Sequence, residues 1–223
     1  MPAYPLLDKI NTPKDLKKLS LKELALLAEE IRKRIISVLA VNGGHLSSNL
    51  GIVELTLALH HAFVSPQDKL LFDTSHQTYT HKLLTGRRNK FSTLRKFKGL
   101  SGFAHPQESK HDHFFAGHAG NTLSLALGLA KKRDMHGGTE HIISVLGDGS
   151  LTCGLIYEAL NNMPKDLRRF IIVLNDNTMA ISKTTGNIKN LLSRLLNNPL
   201  TNKMYLEIEQ MLAHVPACGP VLA

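Results

Sequence analysis

Between residues 20 and 42, apolar side chains recur at Leu24, Leu27, Ala28, Ile31, Ile35, Val38 and Leu39. That alternating three-and-four spacing is the signature of an amphipathic helix. Ser20 and Glu23 head it as a capping box, each side chain satisfying a backbone N–H of the other, and Gly43-Gly44 stops it. A second helix is predicted from Ile52 to Phe63, ahead of Pro66, then a short strand at Leu70-Leu71-Phe72. A further helix begins within His76–Leu84 and is closed by Gly86. Small residues at Ala126, Gly128 and Ala130 mark a closely packed helix from Thr122 to Lys132. Strand 142–146, helix 152–162 and strand 170–174 follow as a βαβ unit, whose strands should be parallel with a right-handed crossover. Two stretches lack a period. Residues 1–19, with Pro2, Pro5 and Pro13, read as an irregular arm. Residues 88–116 are polar, basic and glycine-containing, and read as a surface excursion carrying function or mobility. Helical spacing returns at Leu191, Leu192, Leu195 and Leu196. The fold expected is α/β, three-layered, with a mostly parallel sheet, in a domain running from residue 20 to 223.

Composition narrows the class. With 223 residues, 43% hydrophobic and 20% charged, the chain is an ordinary soluble one. No apolar run approaches the ~20 residues of a membrane helix, and Met1–Leu7 is not ordered like a secretory signal. Two cysteines, Cys153 and Cys218, lie far apart, which argues for a reducing cytoplasm rather than a disulfide scaffold. The net charge of +9 raises nucleic-acid binding, and Lys82, Arg87, Arg88, Lys90, Arg95, Lys96 and Lys98 run without an intervening acid. No nucleic-acid motif accompanies them, Trp is absent, and aromatics are 5%, so stacking platforms are poorly supplied. A solvated basic face, or one that meets an acidic partner domain, is the plainer reading.

The chemistry gathers at the ends of the two predicted βαβ strands. Gly147-Asp148-Gly149-Ser150 follows the first, and Asn175-Asp176-Asn177 follows the second. Magnesium takes oxygen ligands in near-octahedral geometry, usually sharing some with a bound phosphate. Asp148 offers a charged oxygen, Asn177 an amide oxygen, and the Met179 carbonyl a third. Gly147 and Gly149 let the backbone approach a diphosphate, and the helix after them presents free N–H groups to an anion. Each motif alone is commonly a turn or loop; paired across one βαβ unit they point to a metal–diphosphate site at the carboxyl ends of parallel strands.

Twelve histidines supply a second signal. His45 and His76 stand among glycines and small polar residues, suited to proton transfer or to a phosphate contact. His111, His113 and His118 form a possible zinc set. His60, His61, His136, His141 and His214 need no more than an ordinary hydrogen-bonded role.

Four strings, Gly-Gly-His-Leu-Ser-Ser-Asn-Leu-Gly (43–51), Ser-His-Gln-Thr-Tyr-Thr-His-Lys-Leu-Leu-Thr-Gly-Arg-Arg (75–88), Gly-Asp-Gly-Ser-Leu-Thr-Cys-Gly (147–154) and Leu-Asn-Asp-Asn-Thr-Met-Ala-Ile-Ser (174–182), together resemble the 1-deoxy-D-xylulose-5-phosphate synthases, transketolase-like thiamine diphosphate enzymes. The resemblance runs from about Asp8 to Ser193. It implies a magnesium- and thiamine-diphosphate-dependent decarboxylating condensation of pyruvate with glyceraldehyde 3-phosphate, feeding isoprenoid, thiamine and pyridoxal synthesis. It implies magnesium ligands at Asp148, Asn177 and the Met179 carbonyl. Cofactor contacts are implied at His76, Gly117, His118, Ala119, Gly149, Ser150 and Asn177, and proton transfer at His45 assisted by His76. A homodimer is implied for the full-length form.

Two departures stand out. Ala119-Gly120-Asn121-Thr122 replaces a Ser-Ser-Thr-Ser run, which removes hydroxyls next to the expected contacts. The chain also matches about the first third of a full synthase. The pyrimidine-binding domain, with its cofactor-activating glutamate, and the C-terminal domain are expected elsewhere, in the same protein or on a separate chain. The isolated chain is therefore expected to turn over little. The alternative is a non-catalytic cofactor-binding remnant, or one subunit of a split transketolase-like enzyme.

Overall fold

The computed structural model describes residues 4–115 and 117–176. After a 3₁₀ turn at Leu7–Lys9 come α1 (Pro13–Leu16), α2 (Leu21–Asn42), α3 (Leu46–Leu50), α4 (Val53–Ala62), β1 (Lys69–Phe72), α5 (Tyr79–Lys82), α6 (Thr122–Met135), β2 (Ile142–Gly147), α7 (Gly154–Asn161) and β3 (Phe170–Asn175). The capping box forms: Ser20 Oγ accepts from Glu23 N–H at 3.3 Å, and Glu23 Oε2 accepts from Ser20 N–H at 2.8 Å. The described strands form one parallel sheet in the order β1-β2-β3, with Lys69 beside Ile142 and Ile142 beside Phe170.

Alternation along the strands builds the layers. Leu70, Phe72, Ile143 and Val145 pack with Ile52 and Leu59 at α4. Leu71 and Ile142 turn the other way, onto Ala126 and Ala130 of α6. β1 and β2 are therefore buried on both faces, as strands of a parallel sheet are, and the chain is α/β with helices on either side. The larger apolar cluster lies among the helices, where Leu27, Ile31 and Ile35 of α2 meet Val53 and Leu57 of α4.

Two sequence expectations need correction. The first is the arm. Tyr4, Leu7, Ile10 and Leu16 are buried in the helical cluster, and Glu30 accepts from the Leu6 and Leu7 N–H groups at 3.0 and 2.7 Å. Its apolar residues fit no long period because a 3₁₀ turn and the four-residue α1, not one long helix, deliver them.

The second is the excursion at 88–116. Phe91, Leu94 and Leu100 in it are buried, and its far end is pinned by internal ion pairs. Arg87 clasps Asp112 with both guanidinium nitrogens, at 2.5 and 3.0 Å, and Lys82 Nζ meets Glu108 at 2.5 Å. Arg88 donates to the Leu7 and Ile10 carbonyls. Part of the basic stretch is thus interior structure; Lys90, Arg95, Lys96 and Lys98 remain exposed. No helix among the described residues is long and apolar enough to cross a membrane.

Asp112 also takes a hydrogen bond from His81 Nε2 at 2.9 Å and one from His105 N–H at 2.8 Å. Asp112 is a carboxylate that only accepts, so His81 Nε2 carries a proton. Burial keeps His81 neutral, so its Nδ1 accepts from His60 Nε2 at 2.9 Å. Removing Asp112 would strand Arg87 and His81 in the interior. Asp112→Ala is expected to lower the unfolding free energy by about 3–5 kcal/mol, read as a shift of the urea midpoint; a loss below about 1 kcal/mol would contradict the account.

The same cluster sets an acid limit. Burial first, then the neighbouring His81 ring and the Arg87 charge, hold His111 down to about 4. Burial, then Lys69, does the same to His113. Both folded-state values lie below the ordinary one, so the unfolded chain takes up protons first as pH falls. Stability from these two is complete above about pH 6.5 and lost toward pH 4, at about 1.4 kcal/mol per pH unit for each. Urea titrations across that window check this; a flat profile down to pH 4 would refute it.

Candidate diphosphate and magnesium site

The sheet's register lines up the carboxyl ends of its strands. Asp73 N–H, just past β1, donates to Val145 O at 2.8 Å, and Gly147 at the end of β2 pairs with Asn175 at the end of β3. Asp148 follows β2 directly, is buried, and opens a 3₁₀ turn, Asp148–Thr152, that carries Gly149 and Ser150. Asn177 and Met179 lie outside the described residues.

β1 ends in an unusual turn. Thr74 and Ser75 both have positive φ, 57° and 62°, a costly conformation for residues with a Cβ. Side-chain bonds hold it: Gln77 Nε2 donates to Asp73 O at 3.0 Å, Thr78 Oγ1 to Ser75 O at 2.7 Å, and Ala104 N–H to Ser75 Oγ at 2.8 Å. The turn delivers His76.

His76 meets His45. The two imidazole centroids are 5.1 Å apart, edge to face, and Phe103 lies 6.1 Å from His45. Asn49, fully buried, fixes this pairing. Its Nδ2 donates to His45 O at 2.6 Å and His76 O at 2.8 Å, and its Oδ1 accepts from Tyr79 N–H at 2.9 Å. Desolvation lowers the basicity of both rings; Arg95 adds to it at His45, and His45 at His76. Both are therefore neutral at pH 7, each with one ring nitrogen able to accept a proton.

The Gly117-His118-Ala119 loop is partly open to solvent. It runs into Gly120, whose φ is +87° and where a Cβ would stand 2.6 Å from that of Cys153. Gly120 N–H and Thr122 N–H both donate to the Asp73 carboxylate, at 2.9 and 3.2 Å, and Ser150 Oγ donates to it at 2.6 Å. The hydroxyl-poor Ala119-Gly120-Asn121-Thr122 run therefore holds its place through backbone N–H groups.

The residues fit an anionic ligand on two counts. A Cβ built on Gly117 or Gly149 meets nothing within 4 Å, so both backbones have space beside them. His76 Nδ1 is buried without a hydrogen-bond partner among the described residues, and such a nitrogen calls for one. The histidines at 111, 113 and 118 do not assemble. His111 Nδ1 is bonded to Ser65 Oγ at 2.8 Å, and His118 is exposed on a different loop. Among the described residues no group of three or more His, Cys, Asp or Glu side chains is placed to hold a metal.

A family model for 1-deoxy-D-xylulose-5-phosphate synthase matches residues 7–222. The chain belongs to the 1-deoxy-D-xylulose-5-phosphate synthase family. It is 57% identical over 222 residues to a protein of that name from Chlamydia pneumoniae, covering 99% of this chain and 34% of the relative. It is 51% identical to one from Caldanaerobacter subterraneus, over 97% of this chain and 35% of the relative, and 50% identical to one from Methylacidiphilum infernorum, over 95% and 34%. The chain thus spans about a third of the length of these synthases.

Sequence reading picked out His45 and His76 but passed over the residues that hold them. Asn49 lies within the quoted 43–51 string, and Asp73 lies two positions before the quoted 75–88 string. Both are buried polar side chains whose importance depends on long-range partners. Replacing Asn49 with Ala would leave the His45 and His76 carbonyls short of a donor. The expected cost is about 2–4 kcal/mol of stability, together with a changed pair of His45 and His76 imidazole resonances in NMR spectra. Unmoved resonances would show that Asn49 does not set the pair.

Proposed function

We propose that these residues form the diphosphate- and magnesium-binding part of a 1-deoxy-D-xylulose-5-phosphate synthase, whose reaction joins the two-carbon unit of pyruvate to glyceraldehyde 3-phosphate with loss of carbon dioxide. The observation that carries this reading is that Ser150, in the turn Asp148 opens after β2, and Gly120, next to the Gly117–Ala119 loop, hydrogen-bond the same Asp73 carboxylate. Asp148, Asn177 and the Met179 carbonyl would hold magnesium, and the N–H groups around Gly149 and Ser150 would meet the diphosphate. When bound, thiamine diphosphate supplies the electron sink for decarboxylation.

The chain's own residues then have separate tasks. The unpartnered Nδ1 of His76 is available to a phosphate oxygen as an N–H donor. His45, neutral and beside it, takes or returns a proton near the reacting atoms. Phe103 lies beside His45, its ring 6.1 Å from the imidazole. Glutamate activation of the cofactor's aminopyrimidine, binding of the aldehyde's phosphate, and pairing into a homodimer are assigned to the two thirds of the relatives' length with no counterpart in these 223 residues.

Titration calorimetry tests the reading. Thiamine diphosphate with magnesium is expected to bind the 223-residue chain, thiamine without its diphosphate at least about 100-fold more weakly. Pyruvate-dependent turnover is expected only when the remaining domains are supplied. Equal affinity for both ligands would overturn the site assignment, and full turnover by the chain alone would overturn the division of labour.

A further inference from the structure

Several features outside the histidine pair present themselves: the buried His60–His81–Asp112 relay, exposed Phe97 among cations, Cys153 against Gly120, and Asp73. Asp73 carries an inference furthest, because its carboxylate ties together two separate segments that the proposed function needs, Gly120–Thr122 and the Ser150 turn, and its backbone begins a third. It is 1% exposed. Oδ1 accepts from Gly120 N–H at 3.1 Å and Thr122 N–H at 3.2 Å; Oδ2 accepts from Gly120 N–H at 2.9 Å and Ser150 Oγ at 2.6 Å. Its own backbone starts the strained turn that leads to His76.

We propose that Asp73 is a positioning residue that sets the distance between the Gly117–Ala119 loop and the Gly149–Ser150 turn, and so the width of the diphosphate seat; this rests on the site reading above. It follows from hydrogen-bond arithmetic that the Ser150 hydroxyl cannot also donate to a bound anion. A hydroxyl has a single proton, and that of Ser150 is committed to Asp73. Ser150 therefore meets an anion through its backbone N–H, and its side chain serves to hold the turn. Gly120, beside the loop, has a left-handed backbone and a contact with Cys153 that admit no side chain.

The test uses the whole 223-residue chain and thiamine diphosphate with magnesium as the probe. Asp73→Asn keeps the shape but replaces one acceptor by a donor. It is expected to weaken binding at least about tenfold, the loss of a charge-assisted bond. Ser150→Ala is expected to weaken binding about threefold to tenfold. The double variant is expected to match Asp73→Asn within about twofold, because the two act through one contact. A double variant whose loss is the product of the single losses would overturn the inference, since Ser150 would then touch the ligand independently. So would an Asp73→Asn chain that binds like the unsubstituted one. If the unsubstituted chain does not bind, the site reading fails, and the positioning claim is still decided without ligand. Amide exchange at Gly120 and Thr122 should accelerate in Asp73→Asn, and at Gly149–Leu151 in Ser150→Ala, which removes one contact and serves where Asp73→Asn does not fold. Unchanged exchange in both variants would overturn the claim.

Discussion

Burying the Asp73 carboxylate would cost several kcal/mol if it were left without partners. The interior offers it two backbone N–H groups and a hydroxyl, drawn from the loop before α6 and the turn after β2. That requirement runs in both directions. The carboxylate needs those donors, and it ties the donors' segments to the end of β1. A parallel sheet only guarantees that strand ends face the same way; the Asp73 contacts convert three neighbouring strand and loop ends into one surface of defined spacing.

The helical side of the molecule is fixed by a second set of buried charges. Arg87, Lys82, Asp112, Glu108 and His81 bind the 101–112 segment to the helix that starts at Tyr79. That segment carries Phe103 to His45 and the Ala104 N–H to Ser75. Buried ion pairs of this kind contribute little beyond an apolar replacement but are costly to break singly. Their effect here is placement: the loop beside His45 is anchored through groups at a distance from it. The drop in basicity of the buried histidines is the accompanying cost, felt only under acid conditions.

The long-period features were legible in the sequence because they depend on neighbours a few residues away. The Ser20 capping box, the α2 stripe from Leu24 to Leu39, the α4 and α6 helices and the parallel β2–α7–β3 unit all stand where the pattern places them. Asp148 was readable as a candidate ligand because glycines flank it at a strand end. The arm and the 88–116 segment were misread because their apolar residues occur singly, and each is buried by a distant surface rather than by a repeating face. Asn49 and Asp73 gave no signal for the same reason: an amide or carboxylate is identified by which donors and acceptors surround it, and all of these but the His45 carbonyl come from residues 27 to 77 positions away. The family resemblance supplied roles for His45, His76 and the 117–119 loop, whereas the contacts that bring them together were visible only in three dimensions.

The central claim is that magnesium and a diphosphate meet at the Asp148 turn. Manganese can replace magnesium and broadens NMR signals near it, so the most direct measurement is an amide spectrum of the isotopically labelled chain with manganese and thiamine diphosphate. Broadening centred on Asp148, Gly149 and Ser150, reaching Gly117–Ala119 and the His76 ring, is the predicted result. Broadening centred on His111 and His113 or on the exposed Lys90–Lys98 stretch, with the Asp148 turn untouched, would contradict it.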